Sequence, residues 1–193
     1  GLLLIQDMYY HRIDTWDRTA EHVKYFEDQV EFVKSLLNDP LDDLTVRLHG
    51  SYRHTNPFEK EAWHQSNPTV KVDTGNVNIR ELIGGSRLVV HAYDSTGLLE
   101  TLSQNIPTLA FWQNDLEHLR DSAKPYYELL VDVGIVHLTP DSAAQKVNEI
   151  WADIDSWWEQ SEVQVARNIF CERYAKVSEN SVRDLKDVLT ATS

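Results

Sequence analysis

The chain has a single cysteine, Cys171, among 193 residues. That count excludes a disulfide framework and a Cys-rich metal site, and it suits a reducing compartment. Long apolar runs are also missing. Leu2–Ile5 is the longest purely apolar stretch near the start, far short of the ~18–20 residues a membrane span requires. No signal peptide is visible. Glycine (7) and proline (6) are sparse, and no glycines follow the G-x-G-x-x-G spacing, which argues against an NAD or FAD domain. Positive charge is the minority: 18 Lys and Arg against 31 Asp and Glu, a formal net charge of -13. A field of that sign repels polyphosphate, which argues against a general nucleic-acid or anionic-membrane binder but not against one small anion in a locally basic pocket.

What remains is an ordinary globular composition, 41% hydrophobic and 25% charged, without repeats or low-complexity tracts. Apolar residues recur at steps of three and four at Val23, Phe26, Val30, Val33 and Leu37. This predicts a helix, capped by Thr19 and stopped by Asn38-Asp39-Pro40. Short β-prone runs follow at 44–48, 70–72, 87–91, 108–112 and 135–138. Leu88, Val89 and Val90 are consecutive, as in a strand covered on both faces. Helical segments fall between these runs, at 77–83, 97–104 and 125–133, and the polar stretch 55–68 reads as irregular or a short helix. Asn105 suits a left-handed helix end before Pro107. After Thr139-Pro140 the pattern is purely helical, with further helices near 161–177 and 180–190.

Strands alternating with helices predict a parallel sheet with right-handed crossovers. The fold class is therefore α/β, a Rossmann-like parallel sheet flanked by helices with a helical C-terminal extension. We expect a single nucleotide-binding domain over 1–193, with an α/β core to about 140 and the extension beyond it. The chain starts at Gly1 without a Met, which we read as a fragment of a longer protein.

In an open parallel sheet, ligands bind at the carboxyl ends of the strands. Three loops leave such ends, at 49–54, 73–76 and 91–96. The first is locally basic, with Arg47, His49, Arg53 and His54 within eight positions. The third runs His91-Ala92-Tyr93-Asp94-Ser95-Thr96-Gly97-Leu98-Leu99-Glu100. Here a buried strand passes into a helix through a hydroxyl pair and a glycine. Free backbone N–H groups and the positive helix end would meet a phosphate there. Glu100, one turn in, suits two sugar hydroxyls. Read as structure alone, Asp94 or Ser95 is an N-cap and Glu100 a solvated first-turn acid. His49, His54, His64 and His91 match no metal-ligand spacing, so no metal is expected. Cys171 beside Phe170 reads as a core thiol, and Trp157-Trp158 as helix-packing residues.

The stretch 88–112, with Ser95-Thr96-Gly97, Leu99-Glu100 and Asn105-Ile106-Pro107, resembles the nucleotide-sugar-binding half of GT-B glycosyltransferases. Arg47-Leu48-His49 and Trp157-Trp158 with Val163 to Phe170 are similar to a bacterial family of surface-polysaccharide transferases. Together the matching motifs cover roughly 44–175. Asn105 stands where many such enzymes have Gly.

The resemblance implies a nucleotide sugar as donor substrate and no cofactor. Donor phosphate would lie on Arg47, Arg53, Ser95, Thr96 and Gly97, and donor ribose on Glu100. His49, His91 and Asp94 would border the cleft. CMP-, UDP- and GDP-linked donors all suit such a pocket. A glycan acceptor would be held by an N-terminal domain that this chain lacks. Neither nucleic acid nor a transmembrane segment is implied. The expected location is cytoplasmic, peripheral at the inner membrane through other parts of the protein. Two alternatives stay open: a non-catalytic nucleotide- or partner-binding module, and half of a sugar-nucleotide epimerase.

Overall fold

A computed structural model describes residues 1–5, 18–49, 58–112, 115–178 and 180–191. Its centre is a six-stranded, all-parallel sheet: β1 (Leu2–Ile5), β2 (Leu44–Arg47), β3 (Lys71–Asp73), β4 (Leu88–His91), β5 (Thr108–Phe111) and β6 (Val136–His137). The spatial order is β3-β2-β1-β4-β5-β6, so strand order reverses between β1 and β4. The fold is Rossmann-like α/β.

β1 is the strand that the sequence reading missed. Leu2–Ile5 is short, terminal and wholly apolar, so it shows no alternation to mark it as a strand. It nonetheless occupies the middle of the sheet, in register with both β2 and β4. Leu2, Leu3 and Leu4 are almost fully buried, as a strand covered on both faces must be. β2 behaves differently: Leu44 and Val46 are buried while Thr45 and Arg47 are half-exposed.

Helix α1 (Arg18–Lys34) ends earlier than expected, and Thr19 lies within it instead of capping it. Asn38, Asp39 and Pro40 open a second short helix, α2 (Asn38–Asp42), instead of ending the first. Proline is tolerated in a first turn because its missing N–H has no partner there anyway. The buried face of α1 also differs from the predicted stripe. Tyr25, Phe32 and Val33 are buried, whereas Val23 is exposed, and Leu37 lies past the end of the helix and is exposed too. Phe32 stacks on Phe111 of β5 with centroids 5.0 Å apart, fixing the helix on that face of the sheet.

Helices α3 (Glu59–Ser66) and α4 (Ile79–Gly84) lie on the chain between β2 and β4. α5 (Thr96–Ser103) follows β4, and α6 (Lys124–Asp132) follows β5. α7 (Pro140–Ile150) packs against α1, β5 and β6. It is capped by Thr139, whose hydroxyl accepts from the Ser142 N–H.

α8 (Ile154–Trp158) and α9 (Ser161–Tyr174) form the extension, with α10 (Ser181–Ala191) after them. Val163, Ala166 and Phe170 of α9 are buried, while Ile169 is turned outward. Trp157 and Trp158 are both buried. The Trp158 indole donates to the main-chain and side-chain oxygens of Asn105, at 3.2 and 3.1 Å. Asn105 takes the left-handed conformation (φ 57°) expected of it. No described helix is long and apolar enough to cross a membrane.

Candidate functional site

The carboxyl ends of β2, β1 and β4 line up in one row. Ile5 pairs with Arg47 on one side and His91 on the other. Arg47 in turn pairs with Asp73, and His91 with Ala110. Side chains in register on parallel strands share a face, and strands lie ~4.8 Å apart, so Arg47 and His91 are about 10 Å apart across β1. The reversal of strand order falls within this row, where a crevice forms in open α/β sheets.

Arg47 is not a free cation. Its guanidinium is paired with the Asp73 carboxylate, and Nη1 also donates to the Val77 carbonyl at 2.7 Å. Burial pushes the Asp73 carboxyl upward, but the Arg47 guanidinium and the Gly75 and Val77 amides outweigh it and hold the pKa below its usual value. Arg47 therefore ties β2 to the loop that follows β3. Arg53 and His54 lie outside the described residues. His49 is half-buried just past β2.

His91 closes β4 and is only 2% exposed. Its Nε2 lies 3.1 Å from Thr101 Oγ1. The Thr101 hydroxyl is shared between the Gly97 and Leu98 carbonyls, so the network assigns the ring proton to Nε2. Burial pushes the imidazole down to about 4, which keeps it neutral near pH 7. Gly97 sits directly over this ring. A Cβ at position 97 would fall 3.0 Å from His91 Cε1 and 3.3 Å from Nδ1. The glycine therefore has a packing reason to be there, in addition to the ligand approach that its place in the sequence suggested.

Ser95 occupies the N-cap of α5 with extended backbone, yet its hydroxyl makes no cap hydrogen bond. Asn78, Thr139 and Asp153 do cap their helices with their side chains. At α5 the Leu98 N–H bonds the Ser95 carbonyl, while the Thr96 and Gly97 N–H groups have no partner among the described residues. Thr96 and Glu100 are exposed, and at i, i+4 they share one helix face. The mouth of α5 thus presents two open N–H groups, two hydroxyls and a carboxylate.

Asp94 is not a cap either. It turns from α5 to accept from the Tyr127 hydroxyl at 3.0 and 3.2 Å, and its Oδ2 lies 3.2 Å from His118 Nε2. Burial first, and then the Asp94 charge, push the Tyr127 phenol upward, so it stays protonated and donates. The rings of His118 and Tyr127 both meet Trp112 edge-on, at 5.8 and 5.9 Å. Sequence reasoning missed His118 and Tyr127. They lie 24 and 33 positions from Asp94, and only the tertiary fold brings them together.

Two other features lie apart from this edge. A cleft of about 800 Å³ runs between α1 and α3, with Val23, Phe26, Val30 and Phe58 on its walls. Glu59 lines it too, and burial pushes that carboxyl up to about 7. None of the described candidate residues lines this cleft. Cys171 is half-buried in α9, where burial pushes its thiol up, against Arg167, so it is no activated nucleophile. Among the described residues no group of three or more His, Cys, Asp and Glu is arranged to hold a metal ion.

The chain matches one family model, described as LIC12162 family transferase, over residues 2–189. It belongs to this family. The match takes in the whole sheet, α5 and the helical extension, and the chain is therefore read as a transferase. No curated protein matches it.

Proposed function

We propose that this LIC12162 family transferase chain is the donor-binding half of a GT-B glycosyltransferase, acting on a nucleotide sugar in bacterial cell-surface polysaccharide synthesis. One observation carries the reading: an exposed, side-chain-uncapped helix mouth at the point where strand order reverses. The Thr96 and Gly97 N–H groups, which have no partner among the described residues, suit a phosphate together with the Ser95 and Thr96 hydroxyls. Glu100 on the same face suits the ribose hydroxyls. Arg47, two strands away, faces the same edge with one nitrogen already committed to Asp73 and Val77. Membership of a transferase family favours group transfer over an epimerase or a non-catalytic module.

In such a transfer an acceptor hydroxyl oxygen bonds to the sugar's anomeric carbon. The carbon–oxygen bond to the phosphate breaks, and its electron pair leaves on the nucleotide. Preorganised N–H donors at α5 would stabilise that charge without a metal. The acceptor and its base belong to the N-terminal domain we expect upstream.

The test is calorimetric titration with CMP, UDP and GDP beside thermal melts. Loss of a charge-assisted hydrogen bond should cost about 1.5–3 kcal/mol of binding, tenfold or more in affinity. We expect that loss for Thr96→Ala and Glu100→Gln. Ser95→Ala should weaken binding too while sparing most of the ~1 kcal/mol that losing a true N-cap would cost, because its hydroxyl makes no cap bond. Variants that bind every nucleotide as wild type does would refute the donor site.

A further inference from the structure

The Asp94–Tyr127–His118 network has no role in the donor site described so far, and its construction is informative. A carboxylate only accepts hydrogen bonds, so both neighbours donate to Asp94. His118 therefore carries a hydrogen on Nε2, 3.2 Å from Asp94 Oδ2. Its other ring nitrogen, Nδ1, has no partner among the described residues, and the side chain is 28% exposed. The ring is held from two sides, by Asp94 and by the edge-on Trp112 indole. Trp112 is itself buried and pinned by its donation to the Asp115 carbonyl at 2.9 Å. Asp94 is the residue immediately before the α5 N-cap, so its hydrogen bond to His118 brings that ring close to this end of the helix.

We propose that His118 is a ligand-contacting residue of this site, binding the diphosphate of the donor through Nδ1 as an imidazolium, with Asp94 and Tyr127 as its positioning residues. The proposal rests on the donor-site reading. Left free at a helix N-terminus, the Asp94 carboxylate would repel the anion the helix attracts. Turned aside to Tyr127 and His118, it orients a cation toward that anion. The phenol stays protonated and serves as a fixed donor. The ionisable groups facing the network are Asp94 from the loop after β4, His118 from the loop after β5, Tyr127 from α6, and Tyr174 from α9 behind Tyr127.

The experiment titrates the chain with UDP, GDP and inorganic pyrophosphate at pH 6 and pH 8. It compares wild type with His118→Gln, Tyr127→Phe, the double variant and Thr96→Ala, with melts of each. His118→Gln should weaken binding about tenfold at pH 6 and less at pH 8, because only a charged imidazole attracts the anion. Tyr127→Phe should weaken it less. The two changes should not add, because the phenol acts through the imidazole. Wild-type affinity in His118→Gln at both pH values overturns the proposal. An equal loss at both values, with a lower melting temperature, also overturns it by making His118 structural. If Thr96→Ala weakens binding and His118→Gln does not, the donor site stands and this inference falls. If wild type binds none of the probes, the donor-site reading falls and takes this one with it.

Discussion

Acidification should destabilise the fold through His91. The ring is 2% exposed, its Nε2 is committed to Thr101 and burial holds it near 4, against 6.5 for an exposed imidazole. A histidine with a depressed folded value supports the fold fully above its unfolded pKa, and loses that support as pH falls through the interval to the folded one. The window is therefore from 6.5 down to about 4. At pH 5 the unfolded ring is almost wholly protonated and the folded ring is not, a penalty of about 2 kcal/mol, rising to roughly 3 kcal/mol below pH 4. The assay is urea unfolding at pH 7 and pH 5 for wild type and His91→Gln, whose amide can still donate to Thr101. The variant starts from lower stability but should lose about 2 kcal/mol less between the two pH values. His137, also pushed down to about 4, acts with the same sign in both proteins and cancels in the difference. Glu59 acts with the opposite sign, its support fading as pH rises from 4.5 to about 7, and it cancels likewise. Equal losses in the two proteins would refute the claim that His91 is held neutral by burial.

Three further outcomes follow from packing. Gly97→Ala should lower stability by about 1 kcal/mol instead of gaining the usual helix-propensity bonus, since its Cβ meets the His91 ring at 3.0 Å; chemical denaturation checks it, and a net gain refutes it. Arg47→Gln should cost about 1–3 kcal/mol at pH 7 by leaving the Asp73 carboxylate half-buried without its cation, and the cost should shrink toward pH 3 as that acid protonates. Trp158→Phe should cost about 1 kcal/mol beyond its lost packing, because Asn105 loses two hydrogen bonds; Asn105→Gly should be tolerated better than Asn105→Ala, because the position is left-handed. Melts of the three resolve that order.

Much of the fold was legible because its signals are local. β4 reads as Leu88-Val89-Val90, and Asn105 before Pro107 marks the end of α5, where the structure finds φ 57°. What failed were features that depend on partners. Leu2–Ile5 shows no alternation and no flanking turn, so its central place comes only from pairing with β2 and β4. The stripe from Val23 to Leu37 has helical period, yet α1 meets the sheet through Phe32 on Phe111 and leaves Val23 to the α3 cleft. Period identifies a helix; the neighbours decide which face is buried.

At the candidate site the split is the same, and it falls between backbone and side chain. The backbone part, a strand passing into a helix through Ser95, Thr96 and Gly97, is continuous in sequence and was readable. Side-chain direction was not. Asp94 looked like a cap because aspartate caps helices well, but its hydrogen bonds go to Tyr127, 33 positions away, and His118. Arg47 read as part of a basic cluster because its neighbours on the chain are basic, while its carboxylate partner lies on the adjacent strand. Each reading placed a charged group by its sequence neighbours. A parallel sheet sets its carboxyl edge by bringing together loops that are distant along the chain, so the charge presented there is decided by pairs such as Arg47–Asp73 and Asp94–His118. The side chains least readable from sequence are therefore the ones that set the charge along this edge.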